Sequence, residues 1–274
     1  MNRRGQGMQF SLTFAMFAGV ILLLLFAMFA FKYIGLQEKK ESVGIGRNLN
    51  NLITSARGNN QYLVYNPDIP DFDLQFSLSN CGEFWINNYM QVNTYDTLFG
   101  SSSLGNDYVI WSTTWDEPYE IASLIYISPS DRSYYFSDGL GYLETKFSGH
   151  FNVVDNANGA DVVVVSSSGT HSGREIVVGT NQVNLDGRWY NAPSVEFVYG
   201  AIFAESATQY NCNYEMLLSR FEILKNIYRT KAQSLAGCNY NEMIMLLDSM
   251  AVDNYEAVVD ENYRLSNFDC EVVF

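Results

Sequence analysis

Residues 8–35 read MQFSLTFAMFAGVILLLLFAMFAFKYIG, and this stretch contains no charged residue before Lys32. As a helix that rises about 1.5 Å per residue, the part from Phe10 to Phe31 would reach about 33 Å, close to the hydrocarbon thickness of a bilayer. Its only polar side chains are Ser11 and Thr13, too few for the wet face of a soluble helix. The stretch predicts a transmembrane helix over residues 10–34, anchored in lipid by Phe10, Phe14, Leu22, Leu25 and Phe29.

The end of the apolar run argues against removal of this segment. A cleavable secretory signal has a shorter apolar region, about 7 to 15 residues, followed by a small-x-small cleavage site. Here the run ends in Phe29-Ala30-Phe31-Lys32. The pattern therefore favours a permanent anchor.

The residues ahead of the helix carry a family resemblance. Arg3-Arg4-Gly5-Gln6-Gly7 before Met8-Gln9-Phe10 resembles the leader of a type IV pilin-like precursor, whose peptidase cuts after a Gly; cleavage after Gly7 would fit. The resemblance implies a filament subunit or assembly component that packs through its N-terminal helix. That family usually has Glu at the fifth mature position, where this chain has Leu12. A fixed single-pass anchor is therefore the first interpretation and a pilin-like subunit the second.

A broader similarity concerns the whole plan of the chain. A short basic tail with a Gly, one apolar helix and an acidic domain rich in Tyr and Asn is similar to uncharacterised archaeal single-pass surface proteins. This similarity implies a location at the cell surface and supplies no catalytic residue.

Charge divides the chain at Arg47. Residues 1–47 hold six Lys and Arg and two acids, which leaves ten of the 16 basic and 28 of the 30 acidic residues for 48–274, so the net charges are +4 and −18. Such an acidic domain is unsuited to nucleic acid and is repelled by anionic lipid. Solubility is the simplest explanation of its charge.

Two signals for membrane orientation conflict. Arg3 and Arg4 precede the span, whereas four basic residues follow it, at positions 32, 39, 40 and 47. This count alone favours a cytoplasmic C-terminus. Four Cys in a domain rich in Tyr, Asn and Ser instead favour disulfides in an oxidising compartment. We expect a cell-membrane protein with a cytoplasmic N-terminus and an extracytoplasmic C-terminal domain.

The fold class expected is α+β. We expect a transmembrane and a stalk helix, a β-rich domain, and a C-terminal helical hairpin packed on it. The segments are a basic tail (1–9), the transmembrane helix (10–34), a juxtamembrane stalk helix (35–58), the β-rich domain (59–205) and a C-terminal helical subdomain (206–274).

The stalk has one apolar stripe. Ile45, Leu49, Leu52 and Ala56 follow each other at helical spacings. Gly44 and Gly46 suggest a flexible joint. The stripe needs a partner, which is either the chain's own domain or another copy of the chain, and the second choice makes it a self-association surface.

Periodicity assigns the other elements. Between about residues 62 and 203, short alternating runs such as FDLQFSLS (72–79) predict strands, and the run SVEFVYGAIF (194–203) is assigned as the last of them. Asp186-Gly187 predicts a tight hairpin. After Asn211 a period of 3.6 predicts helices at about 213–236, 241–250 and 253–264.

Four cysteines allow three pairings. A straight helix over 213–236 places Cys212 and Cys238 about 39 Å apart, and a disulfide requires Cα atoms within about 7 Å. A helical hairpin would bring Cys270 back to Cys212. The expected disulfides are therefore Cys212 with Cys270 and Cys81 with Cys238.

The residues offer no complete catalytic constellation. The segment VVVVSSSGTHSGR (162–174) fails as a nucleophile elbow because Thr170 and Arg174 stand where Gly is needed around Ser172. It fails as a phosphate loop because a strand-like run follows it, and a β-hairpin with a polar loop is the simpler interpretation. His171 beside Ser172 is left without an assigned role.

Neither a catalytic carboxylate pair nor a metal site is indicated by the sequence. Asp116 and Glu117 follow Trp111 and Trp115, but neighbours on a strand point to opposite faces. We expect Trp111, Thr113 and Trp115 to share one buried or sheet-lining face. No metal site or cofactor is expected.

The function expected is therefore a binding, adhesive or envelope-structural role without enzyme activity. Its partners are the lipid bilayer and other copies of itself or envelope proteins, and not nucleic acid. A membrane-anchored hydrolase is a further alternative.

Overall fold

The computed structural model describes residues 4–56, 63–65, 72–76, 81, 83–87, 90–93, 97–104 and 107–274. Side chains are described from Phe14 onward within these ranges, except in 63–65 and 90–93. The described chain is a mixed α/β structure with a long apolar N-terminal helix and three sheets. We call the folded part from Ser42 to Phe274 the head.

Helix α1 (Arg4–Ala56) is a single uninterrupted helix of 53 residues. At 1.5 Å per residue it is about 80 Å long. The predicted joint at Gly44 and Gly46 is wrong, because both residues lie inside the helix and Gly46 is buried. Packing of the neighbouring Ile45 and Leu49 on the head offsets the weak helix propensity of the two glycines. One continuous helix therefore joins the apolar segment to the head.

The first sheet lies between two helices. Its order is β1-β7-β8-β5, with β5 and β8 parallel and the other neighbours antiparallel. On β8, Ile125 and Ile127 pack toward α1, whereas Leu124 and Tyr126 pack on the opposite face. The strands are β1 (Leu63–Tyr65), β5 (Thr97–Gly100), β7 (Tyr108–Trp115) and β8 (Ala122–Pro129).

A second, antiparallel sheet covers another part of α1 in the order β4-β3-β2-β6. Strand β2 alternates as predicted, with Phe72 and Leu74 buried and Asp73 and Gln75 exposed. The strands are β2 (Phe72–Phe76), β3 (Glu83–Ile86), β4 (Met90–Asn93) and β6 (Ser103–Leu104).

These two sheets cover the predicted self-association stripe. Ile45, Leu49 and Ala56 are buried against the head, and Leu52 is half-buried at the edge of the same apolar cluster. Ile53, absent from the prediction, is buried too. Of the two partners that the sequence left open for this stripe, the structure shows the chain's own domain.

The third sheet has six strands in the order β10-β9-β11-β12-β13-β14. Strands β11 and β12 are parallel, which corrects the expected hairpin over 162–174. Asp186 and Gly187 have φ of 53° and 79°, and the hairpin predicted there is confirmed. The strands are β9 (Ser133–Phe136), β10 (Asn152–Val153), β11 (Val162–Val165), β12 (Arg174–Val178), β13 (Gln182–Leu185) and β14 (Arg188–Asn191); helix α2 (Gly141–Phe147) precedes β10.

Helix α3 (Val195–Phe203) packs against the first and third sheets, and the prediction of a strand over 194–203 is wrong. Every residue from Phe197 to Phe203 is buried. A helix that is buried all round shows neither a period of 3.6 nor a period of two, so the run cannot be told from a buried strand. The helix joins both sheets in one core.

Three helices end the chain: α4 (Ala207–Ser234), α5 (Asn241–Ser249) and α6 (Glu256–Asn267). Helix α5 runs back along α4, because Arg229 contacts Asp248 and Lys225 Nζ donates to the carbonyl oxygen of Met250. The chain then reverses again. Asn262 Oδ1 accepts a hydrogen bond from the Val273 amide, and Lys231 Nζ donates one to the carbonyl oxygen of Val272.

This second reversal changes the disulfide pairing. The structure pairs Cys81 with Cys212 and Cys238 with Cys270, with Cα–Cα distances of 5.4 and 6.0 Å. The predicted pairs, Cys212 with Cys270 and Cys81 with Cys238, are wrong, although all four cysteines form disulfides. The hairpin argument took the whole range 241–264, with its two expected helices, to run back along α4 in one direction. Because α6 reverses direction after α5, Cys270 lies at the end of α4 where Cys238 is, and Cys212 is left for Cys81.

Candidate functional site

The exposed half of α1 is the clearest functional feature of the chain. Within the described residues, one helix is long and apolar enough to cross a membrane, and the most apolar 18-residue stretch of Phe14–Ala56 has a mean hydropathy of 2.7 with 0% of it buried. Four of the predicted anchor residues, Phe14, Leu22, Leu25 and Phe29, are exposed. The fifth, Phe10, lies in the helix, but its side chain is outside the described part. This apolar surface requires a non-aqueous partner.

The head begins at Ser42, and ten residues separate it from the end of the apolar run at Phe31. Ser42 is buried, and its Oγ donates to the carbonyl oxygen of Glu38 at 2.9 Å. Asn87, just after β3, reaches the Ser42 hydroxyl with its Nδ2 at 3.5 Å. Asn87 is itself held by two hydrogen bonds with the backbone of Asp73. These contacts mark the lower edge of the head, which is the edge nearest the exposed half of α1.

The other end of the packed segment is fixed inside the core. Ser112 on β7 is buried, and its Oγ donates to the carbonyl oxygen of Ala56 at 2.5 Å. A carbonyl in the last turn of a helix has no partner within the helix, so a buried helix end needs a donor from elsewhere. The head therefore contacts α1 from Ser42 to Ala56, about 21 Å at 1.5 Å per residue.

The Ser- and Gly-rich loop of residues 166–173 holds its polar groups in local contacts. His171 Nε2 lies 3.5 Å from Glu175 Oε2, which also accepts a hydrogen bond from the Gly169 amide. Ser172 Oγ accepts from the amide of Gly159. The loop connects two parallel strands, so it is not followed by the helix that a phosphate-cradling loop requires.

The aromatic face predicted on β7 is confirmed as core. Trp111 and Trp115 are buried, and Thr113 Oγ1 lies 2.8 Å from the Tyr126 hydroxyl. Asp116 and Glu117 are exposed at the end of this strand.

A third carboxylate, Glu196, lies close to Asp116 and Glu117. Burial raises the pKa of Glu196, and the nearby charges of Glu117 and Asp116 raise it further. Glu117 also accepts a hydrogen bond from the Tyr255 hydroxyl. Among the residues with described positions, no three His, Cys, Asp or Glu side chains are grouped so that they could hold a metal ion.

The head also has a surface cleft that the sequence did not predict. It has a volume of about 370 Å³ and lies between α4, the hairpin β13–β14 and the segment 250–253 that links α5 to α6. Asn181, Gln182 and Asn191 line one side, and Tyr214, Leu218 and Phe221 of α4 line another. These residues come from three distant segments, so no local motif announces them; only the helical spacing of the α4 residues was visible in the sequence.

The comparisons with known proteins add no relative: no protein family, no curated protein and no solved structure matches this chain.

Proposed function

We propose that this chain is a single-pass membrane protein whose acidic head stands outside the cytoplasm and has a binding, adhesive or envelope-structural role. The observation that carries the proposal is α1, one helix whose first half is apolar and exposed and whose second half is built into the core of the head. An exposed apolar helix of this length is stable in lipid, where all its backbone groups are paired within the helix.

The length of the continuous helix sets the distance between the bilayer and the head. If Phe10 to Phe31 crosses the hydrocarbon, the ten residues from Lys32 to Glu41 place the lower edge of the head about 15 Å further along the axis. The head carries a net charge of −18 from residue 48 onward. Repulsion between this negative charge and anionic headgroups also keeps the head away from the bilayer surface. Both features favour a head presented away from the bilayer surface.

The disulfides support an extracytoplasmic head. The Cα–Cα distances lie in the range that a disulfide allows for both pairs, Cys81–Cys212 and Cys238–Cys270. Disulfides persist in oxidising compartments. This argument outweighs the basic residues after the span, because thiols in a reducing cytoplasm would stay unpaired.

A pilin-like filament subunit is the second candidate. The observation that favours it is the absence of any break in α1 between its exposed apolar half and the head. The same apolar surface would be buried equally well by the helices of neighbouring subunits. The two candidates differ in the mature N-terminus, which keeps Arg3 and Arg4 in a fixed anchor and begins at Met8 in a processed subunit.

The test combines membrane extraction with mass spectrometry of the mature chain. Membranes are washed with alkaline carbonate, and the intact mass of the protein is measured in the pellet. A fixed anchor leaves the protein in the pellet with residues 1–7 retained. Loss of residues 1–7 together with recovery in sheared surface filaments would favour the pilin-like candidate, and recovery in the carbonate supernatant would contradict both.

A further inference from the structure

The polar groups of the cleft both donate and accept hydrogen bonds. The side-chain amides of Asn181, Gln182 and Asn191 each offer a donor and an acceptor. Tyr214 lines the cleft with these amides, and the carboxylates of Glu222 and Asp253 add acceptors. The backbone of Asn181 has φ of 54°, a conformation that Asn tolerates better than most residues, and its carbonyl accepts from Ala192. The amides are therefore placed by a fixed turn.

Apolar side chains form the remaining surface of the cleft. Leu218 and Phe221 come from one face of α4, and Met250 and Val252 come from the segment opposite. A cleft of about 370 Å³ lies within the range of small-molecule sites, roughly 300 to 1,000 Å³. A ligand here would meet an apolar surface and a polar rim at the same time.

An exposed tryptophan extends this surface beyond the cleft. Trp189 on β14 is 53% exposed. The strand register pairs Gln182 with Asn191 and Asn184 with Trp189, so these four side chains lie on one face of the hairpin. The Trp189 ring lies against the turn before β13, because a Cβ placed on Gly179 would be 3.0 Å from its Cζ3 atom. The ring is not part of the cleft lining, but it lies on the same hairpin face as Gln182 and Asn191, which do line the cleft.

The charges of the cleft restrict the ligand. None of the described residues that line it is Lys or Arg. Lys225, nearby, is engaged by Glu222 and by the carbonyl oxygen of Met250. Two carboxylates and no cation disfavour phosphates and carboxylates as ligands. A ligand rich in hydroxyl groups can donate to the carboxylates, accept from the amides and place its C–H face on the exposed ring of Trp189.

We propose that the cleft and the exposed ring of Trp189 form a binding site for a neutral saccharide. This inference deepens the proposed binding role of the head. Binding by the purified protein is measured without reference to membrane orientation, so a failure here leaves the extraction test above unaffected.

The experiment uses the full-length protein in lipid nanodiscs, because detergents with sugar headgroups would compete for the site. Saturation-transfer difference NMR is recorded with methyl glycosides of neutral hexoses and N-acetylhexosamines as probes. We expect transfer to the ring protons of at least one probe. Trp189→Ala and Asn191→Ala should each weaken its binding by about tenfold or more, as loss of a central contact does.

Matched variants separate the site from general effects. Trp85→Ala removes another exposed tryptophan, on β3 of the second sheet, and should leave binding unchanged. Trp189→Phe keeps an apolar ring and should restore part of the binding. The melting temperature of each variant shows that the head is folded. The inference is overturned if no neutral glycoside binds the wild-type protein, or if Trp85→Ala weakens binding as much as Trp189→Ala does.

Discussion

The hydroxyl of Ser112, in the middle of β7, donates a hydrogen bond to the carbonyl oxygen of Ala56, the last residue of α1. Both residues are buried, and 56 positions separate them along the chain. This bond joins the end of α1 to a central strand of the head. Helix α1 and the sheets of the head therefore share one core, and a change in either one should be measurable in the stability of the other.

The bond itself predicts the effect of Ser112→Ala. Removing the donor leaves a buried carbonyl without a partner, which costs about 1–3 kcal/mol. Ser123→Ala, on the neighbouring strand β8 and half-buried, is the matched control and should cost much less. Chemical denaturation of the full-length protein, followed by tryptophan fluorescence, gives both values. Equal losses for the two variants would show that the Ser112 bond contributes nothing.

Packing of the stalk predicts the effect of Leu49→Ala. Leu49 is 1% exposed and lies in the apolar cluster between α1 and the first two sheets. Its truncation should lower the free energy of unfolding of the head by about 2–5 kcal/mol. Leu36→Ala, at a position 64% exposed on the same helix, should leave it unchanged. A stalk that serves mainly for self-association would give the opposite result, with a change in oligomeric state and none in the stability of the head.

The disulfide pairing predicts two different stability losses. The pairs lie 131 and 32 residues apart. Loop-closure entropy gives about 5 kcal/mol for Cys81–Cys212 and about 4 kcal/mol for Cys238–Cys270. The double variant Cys81→Ser with Cys212→Ser should therefore be the less stable of the two under oxidising conditions, and both should match the wild type in reductant. Peptide mapping without reductant gives an independent check, and a peptide that joins residues 212 and 270 would contradict the structure.

Buried tyrosines predict a loss of stability at alkaline pH. Burial raises the pKa of Tyr134 to about 12 and that of Tyr126 well above 10, although each phenol has a hydrogen-bond partner that lowers it. Because the folded state disfavours the phenolate, stability is fully present below the unfolded pKa of about 10 and decreases as the pH rises toward 12.

Tyr134→Phe isolates one of these groups. The variant loses the hydrogen bond between Tyr134 and Ser128 at neutral pH, and above pH 10 its stability should decrease less steeply, by up to about 1.4 kcal/mol per pH unit. Tyr142→Phe, at a position 55% exposed, is the control. The midpoints come from denaturation after rapid pH jumps. An unchanged slope in Tyr134→Phe would show that this phenol is not protected in the folded state.

Local patterns in the sequence predicted the elements whose period is visible. The apolar run from Phe10 to Phe31, the alternation of β2 and the helical spacing of α4 are all present in the structure. Helix α3 was missed because it is buried all round, and a continuous apolar run has no readable period. The flexible joint predicted at the two stalk glycines is absent because tertiary packing outweighs their low helix propensity.

Features that depend on chain reversals could not be predicted. The pairing of Cys270 with Cys238 follows from the reversal between α5 and α6; the residue pattern predicted two separate helices there, but not that the second turns back. The cleft likewise combines Asn191 of β14 with Tyr214 of α4 and Asp253 of the linking segment. Their proximity is set by the packing of three segments, and no local pattern in the sequence indicates it.

The central claim is that α1 holds an oxidised head outside the cytoplasm, and limited proteolysis of intact cells tests it most directly. Trypsin is added to intact cells, and the released peptides are identified by mass spectrometry. Cleavage at residues of the head such as Arg188, which is exposed, should release head peptides that include the linked Cys238 and Cys270, while the peptides before Lys32 stay with the cells. Head peptides that appear only after the cells are lysed, with free thiols at these positions, would contradict the account.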